Sequence, residues 1–231
     1  LPLNLIMIRR LFSSAILAGI SAGLAVSLLY QFTTVPLIMK AEEFETKQSA
    51  DARYTTGTDK FVFHLVHDSD PKSNHPEWEP ASLVERIVYT SLTTIISGVG
   101  FALLIVSALV IRGSSGGFRI GVLWGIGGFA AFILAPAVGL PPELPGMMKA
   151  ELIGRQLWWL GTAIVTATGL WILVFYKNPS LYILAFILLL APHVLGAPIQ
   201  HSIQSSIIPA ELAAKFSTVS IGVNFIFWLM L

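Results

Sequence analysis

Cysteine is absent from the 231 residues, which excludes disulfides, thiolate metal sites and cysteine nucleophiles together. Charge is scarce as well: Asp, Glu, Lys and Arg make up 12% of the chain, about half the roughly 25% usual in a soluble domain. The net charge of +1 gives no case for nucleic acid as a partner. The glycine-rich stretch Gly113–Gly117 lacks the Lys-Ser/Thr ending that a phosphate-binding loop needs. An ATPase engine, if the protein uses one, therefore sits on another chain. Any metal held here must be met by oxygen or imidazole nitrogen, which favours hard or borderline ions.

What fills the space is apolar. Hydrophobic residues make up 55% of the sequence and mean hydropathy is +0.75. The excess lies in runs long enough for spanning helices, which need about 20 mainly apolar residues. The fold class expected is an all-α integral membrane protein, a bundle of about six transmembrane helices with one long outer loop. It forms a single transmembrane domain over residues 1–231, with a polar insertion at about 40–85. The spans expected are Ile8–Phe32, Arg86–Ile111, Phe118–Ala137, Gln156–Tyr176, Ser180–Leu195 and Pro209–Leu231. The last has a polar start, so a count of five is the alternative. Met7-Ile8-Arg9-Arg10 reads as a natural start, with the first six residues as upstream sequence. The run after it is long enough to span and is followed by no A-x-A-like site, so a retained helix is expected rather than a signal peptide.

Charges in the short loops set the orientation. Arg9, Arg10, Arg112, Arg119 and Lys177 fall on one side under alternating topology, with no Asp or Glu among them. That side is expected to be cytoplasmic, with the N-terminus there and the long loop in the periplasm of a bacterial inner membrane. The opposite side receives every acidic residue, and all five histidines: His64, His67, His75, His193 and His201. Small residues recur four apart at Ala15, Gly19, Gly23 and Ser27, and again at Gly117, Gly121 and Gly125. Such faces let helix backbones approach closely, either inside the bundle or against a second copy or partner subunit. Trp158 and Trp159 are expected to anchor the outer interface.

Three constellations carry candidate chemistry. In Leu140-Pro141-Pro142-Glu143-Leu144-Pro145-Gly146, three prolines fix φ and remove donors, so the segment is not helical. Such backbone persists at membrane depth only when buried in protein or lining a wet cavity. Glu143 is then placed to meet a cation, or it simply faces water beyond a helix terminator. In Pro192–Pro198, His193 lies within a turn of the outer helix end, with His201 just beyond. Neutral imidazole is a common metal ligand, and the alternative is a histidine bonded to a broken-helix carbonyl. Two helix breaks on one side resemble the discontinuous helices of transporters. The outer insertion adds His64, His67 and His75 among carboxylates, a mixture suited to Co²⁺, Ni²⁺ or Zn²⁺, or else a solvated loop. Glu85-Arg86 is expected to form an interfacial ion pair, and Glu151 and Arg155 an i,i+4 helical pair.

Taken in order, Arg9-Arg10-Leu11-Phe12, Pro76–Pro80 with Glu85-Arg86, Gly121–Gly125 with Gly128-Phe129, Gly139–Gly146, Arg155–Trp159, Pro192–Pro198 and Glu211–Ala214 resemble the CbtA family of small bacterial membrane proteins, predicted cobalt transporters. The resemblance covers nearly the whole chain from Met7. It implies membership of a cobalt-uptake system, often beside a small single-helix companion that carries histidines. It also brings Glu143 and His193 onto the family's characteristic stretches.

The function expected is a non-enzymatic, inner-membrane permease subunit for cobalt or a similar divalent cation. Its metal-site residues are expected to be Glu143 and His193, with His201 and Glu211, fed by His64, His67 and His75. Co²⁺ is the transported substrate, and no tightly bound cofactor is expected. The partners expected are the lipid bilayer and the single-helix companion, with a homo-oligomer or larger membrane complex as a further possibility. Onward passage would need carbonyls, hydroxyls such as Thr93 and Thr94, or the companion, because no acid or histidine lies in the inner half of any helix. The alternative is a structural or assembly subunit of a larger membrane complex without transport activity. A membrane enzyme using His193 and Glu143 as acid and base has the right residue types but no recognisable motif.

Overall fold

The computed structural model describes residues 5–55, 80, 82–113, 117–147, 150–198 and 207–231. Among them the chain is all helix and turn: α1 (Leu5–Phe32), α2 (Val35–Thr55), α3 (Leu83–Arg112), α4 (Phe118–Phe129), a π-helical turn (Ala130–Leu134), α5 (Ala135–Gly139), α6 (Leu152–Phe175), α7 (Pro179–Leu195) and α8 (Ala210–Met230). Five stretches are long and apolar enough to cross a membrane: Arg9–Phe32, Leu83–Arg112, Phe118–Gly139, Leu152–Phe175 and Ala210–Met230. The shorter apolar α7 joins them. The protein is a helical membrane bundle with large apolar side chains exposed on its outside, Leu17, Leu28, Ile96 and Phe186 among them.

Local sequence sets several boundaries. Ser82 caps α3, its hydroxyl accepting from the Glu85 N–H at 3.2 Å, which satisfies one of the orphan donors of a helix start. Asn178 does the same for α7, accepting from Ser180 N–H at 3.0 Å, with Pro179 in the first helical position where a missing N–H costs nothing. Pro209 was expected in that role for α8, but it stands one place earlier, as the cap. Part of the expected polar insertion is helix: α2 continues from Val35 to Thr55, with Leu37 and Ala41 one turn apart and both buried.

Antiparallel α1 and α3 form the tightest contact. A Cβ added at Gly19 would stand 2.4 Å from the Val99 backbone nitrogen, and one at Gly23 would stand 2.6 Å from Ile95 Cα. Backbones meet there because neither residue has a side chain, the small-residue packing that drives helix association in lipid. Two turns on, Ser27 and Ser91 hydroxyls lie 2.6 Å apart. The helix-one stripe thus packs inside the bundle. In the second stripe only Gly125 does so, against the Trp228 carbonyl; a Cβ at Gly117 or Gly121 would meet nothing within 4 Å.

Core packing centres on Trp228 of α8, which stacks on Phe132 (centroids 5.6 Å apart) and meets Phe101 of α3. Phe132 belongs to the π-turn, where Ala135 N–H donates to Ala130 O, five residues back. Pro136 follows at once; its ring and missing donor disturb a regular helix, and a π-turn is a common accommodation. Helices run alternately, so one end of the bundle gathers Glu42, Glu143, Glu151 and Glu211, and the other Arg112, Arg119 and Lys177. These are the acidic and basic ends.

Candidate functional site

At the acidic end α5 stops at Gly139, and the described residues between it and α6, 140–147 and 150–151, are not helical. Prolines stiffen this crossing, and Leu144 pins it. Leu144 is fully buried in a second core cluster with Leu37 and Ala41 of α2 and with Ile208 and Phe216. Its N–H points at Met147 Sδ, 3.3 Å away. Gly146 turns with φ 75°, and a Cβ there would fall 2.7 Å from Glu45 Oε1 of α2. Burying Leu144 therefore fixes Glu143 beside it. Leu144→Ala is expected to cost about 2–4 kcal/mol, read as a lower melting temperature of the detergent-solubilised chain. An unchanged melting curve would refute the anchoring role.

Glu143 Oε2 accepts from Arg155 Nη2 at 2.9 Å, and both side chains are largely withdrawn from solvent. Arg155 is placed by the start of α6, where Glu151 caps the helix by accepting from Gly154 N–H at 3.3 Å. Glu151 was expected to pair with Arg155; it turns to the helix end instead, leaving the guanidinium to reach across the break. Arg86, expected to pair with Glu85, reaches Glu42 of α2 at 2.8 Å. The Glu143–Arg155 pair borders a cavity of about 540 Å³. Its other walls include Phe132 and Pro136 from the interrupted helix, Gln156 and Trp159 from α6, and Asn224 from α8. Asn224 donates to the Tyr30 hydroxyl at 3.3 Å and to the Ser220 carbonyl at 2.9 Å. A carboxylate, a guanidinium and two side-chain amides thus share a mostly apolar chamber at a broken helix.

His193 reaches α6 at Trp158. α7 runs through Pro192 and ends at Gly196, whose φ is 79°. The imidazole lies edge-on to Trp158, with centroids 6.5 Å apart. Trp158 also presses on Gly139, which Ala197 approaches as well, so it is a wedge between the two breaks. Trp159 is about one-third exposed. Both breaks therefore converge on one turn of α6, Arg155 taking the carboxylate and Trp158 the imidazole. Glu143 lines the cavity and His193 does not.

Glu211 is exposed in the first turn of α8 and lines neither this cavity nor the larger one at the basic end. His64, His67, His75 and His201 lie outside the described residues. Among the described residues no three His, Asp or Glu stand close enough to hold a metal ion together. Thr93 and Thr94 bond back to the carbonyls of Tyr89 and Thr90, the usual local satisfaction of a helical hydroxyl.

Sequence reasoning overlooked Arg155 as the partner of Glu143, Asn224 as a cavity wall, and Glu42 and Glu45 of α2. A signal for α2 existed in the helical spacing of Leu37, Ala41 and Phe44 after Pro36. No curated protein and no solved structure matches the chain. Residues 8–231 match the family described as probable cobalt transporter subunit (CbtA), and with a match of nearly full length the chain belongs to that family.

Proposed function

We propose that this chain is the inner-membrane permease subunit through which cobalt, or a similar divalent cation, enters the cell. In this reading the acidic end faces the periplasm and the basic end the cytoplasm, in keeping with the distribution of arginine in the short loops. The observation that carries it is the Glu143–Arg155 pair at 2.9 Å on the wall of the 540 Å³ cavity. A carboxylate on a proline-stiffened break is a hard oxygen ligand of fixed position. Arg155 holds it while no metal is present, and an arriving divalent cation displaces the guanidinium. Its second charge makes the exchange favourable at equal geometry. His193, edge-on to Trp158, is a later or alternative ligand. Histidines 64, 67, 75 and 201, with Glu211, feed the site from the periplasmic surface, and the single-helix companion supplies the ligands that the inner halves of the helices lack. The membrane potential, worth about 2.3 kcal/mol per charge per 100 mV, drives uptake.

Cobalt accumulation in cells, by elemental analysis, tests this. Cells expressing the chain with its companion are expected to exceed cells lacking it at every sub-saturating cobalt concentration. Equal accumulation at verified membrane expression would overturn the permease reading and favour an assembly subunit. The tight α1–α3 face and the wedge at Trp158 would serve that role as well.

A further inference from the structure

We infer that the basic end holds an anionic phospholipid of the adjoining leaflet, with its acyl chain between α3, α4 and α6 and its phosphate at Arg112. A second cavity, about 820 Å³, opens between these helices. Its walls are apolar along nearly their whole length, from Phe101 and Ile105 of α3 to Leu170 and Trp171 of α6, and they close on Trp228. Arg112, the last residue of α3, is the charged group on its lining. The guanidinium lies 4.6 Å from the centre of the Phe175 ring, so its position is set by a cation–π contact. No Asp or Glu occurs between Arg112 and Arg119, or between Tyr176 and Ser180, so neither of these loops supplies a carboxylate to Arg112.

The dimensions select a lipid tail. From Phe101 to Arg112 the cavity follows α3 for about 16 Å at 1.5 Å per residue. That is about half of the ~30 Å hydrocarbon thickness, the depth of one leaflet. The charge then selects the headgroup, because basic pockets between helices are where acidic lipid headgroups are held. Of the described cavities, this one is set apart from the Glu143 chamber by Phe132 and Trp228, and the proposal stands without the transport reading.

Gly127 offers the decisive variant. It lines the cavity, and an added Cβ would meet no atom within 4 Å, so Gly127→Leu places a side chain in the cavity from a position with open space beside it. Native mass spectrometry of the detergent-purified chain, with phosphatidylglycerol or phosphatidylcholine of identical acyl chains, reads occupancy directly. The wild type is expected to retain phosphatidylglycerol preferentially, and Arg112→Gln to lose about fivefold of that retention, the worth of one cation at a membrane surface. Arg112→Lys is expected to restore most of it, since an ammonium also binds phosphate as a point charge. Gly127→Leu is expected to lose both lipids. Equal retention of the two lipids by the wild type would overturn the proposal. So would an unchanged preference in Arg112→Gln, unchanged binding in Gly127→Leu, or a helical subunit that occupies the cavity in place of lipid.

Discussion

Glu143→Gln is expected to lower cobalt uptake at least tenfold, while Arg155→Gln is expected to lower the cobalt concentration for half-maximal uptake. The two variants break the same 2.9 Å contact, so a purely structural pair would give the same result from either side. A receiving carboxylate gives opposite results. Glutamine keeps the size of Glu143 but has no charge with which to compensate a divalent cation. Removing Arg155 instead removes the competitor for the carboxylate. A partly exposed ion pair is worth about 1 kcal/mol, so the half-saturating concentration falls about fivefold. Arg155→Gln also leaves a carboxylate in an apolar-walled chamber, so its melting temperature should drop even as its apparent affinity rises. Uptake against cobalt concentration, at matched membrane expression, separates the cases. Parallel losses in both variants would sink the receiving-site assignment and leave the pair as a strut across the broken helix.

Gly19→Leu, at the other extreme, is expected to damage the bundle itself. The atoms that a side chain would strike at Gly19 are the backbone of Gly98 and Val99, which no rotamer change can move. Helix separation is the remaining response, and it breaks the contact along Gly19, Gly23 and the Ser27–Ser91 pair together. Overpacking of side chains typically costs about 1–3 kcal/mol; with backbone as the obstacle we expect about 3 kcal/mol or more. Gly98→Leu should behave alike, since a Cβ there would stand 2.4 Å from the Gly19 carbonyl oxygen. Gly121→Leu is the control, because space beside it is open. Thermal melts of the solubilised variants should therefore split into two low values and one like the wild type. A Gly19→Leu chain that melts with the wild type would show that α1 and α3 do not pack this closely.

Helix positions were legible from composition because lipid imposes them: a backbone in hydrocarbon must satisfy its own hydrogen bonds. The span expected at Arg86–Ile111 is α3 within three residues at either end, and that at Ser180–Leu195 differs from α7 by one. α2 was missed because its Lys and Glu residues mask a buried stripe only one or two residues wide. The Glu151–Arg155 expectation followed a rule for isolated helices. It failed because a carboxylate just before a helix start can bond the free N–H groups there, and because the proline break brings Glu143 within reach of the guanidinium.

By itself, the sequence determined that the chain is a helical membrane bundle, that its described acids and its short-loop arginines lie at opposite ends, and that its helices stop before Pro141–Pro145 and within Pro192–Pro198. These follow from hydropathy, charge and proline chemistry, which act on a few neighbouring residues at a time. Only the tertiary structure decided that both breaks meet on one turn of α6 and that Arg155 closes on Glu143. It also decided that Trp158 packs against both His193 and Gly139, and that Asn224 completes the chamber wall. Each of these depends on how helices far apart in sequence are rotated against one another, and that rotation is set by close-packed contacts such as Gly19 on Val99 and Gly125 on Trp228, which no local pattern encodes.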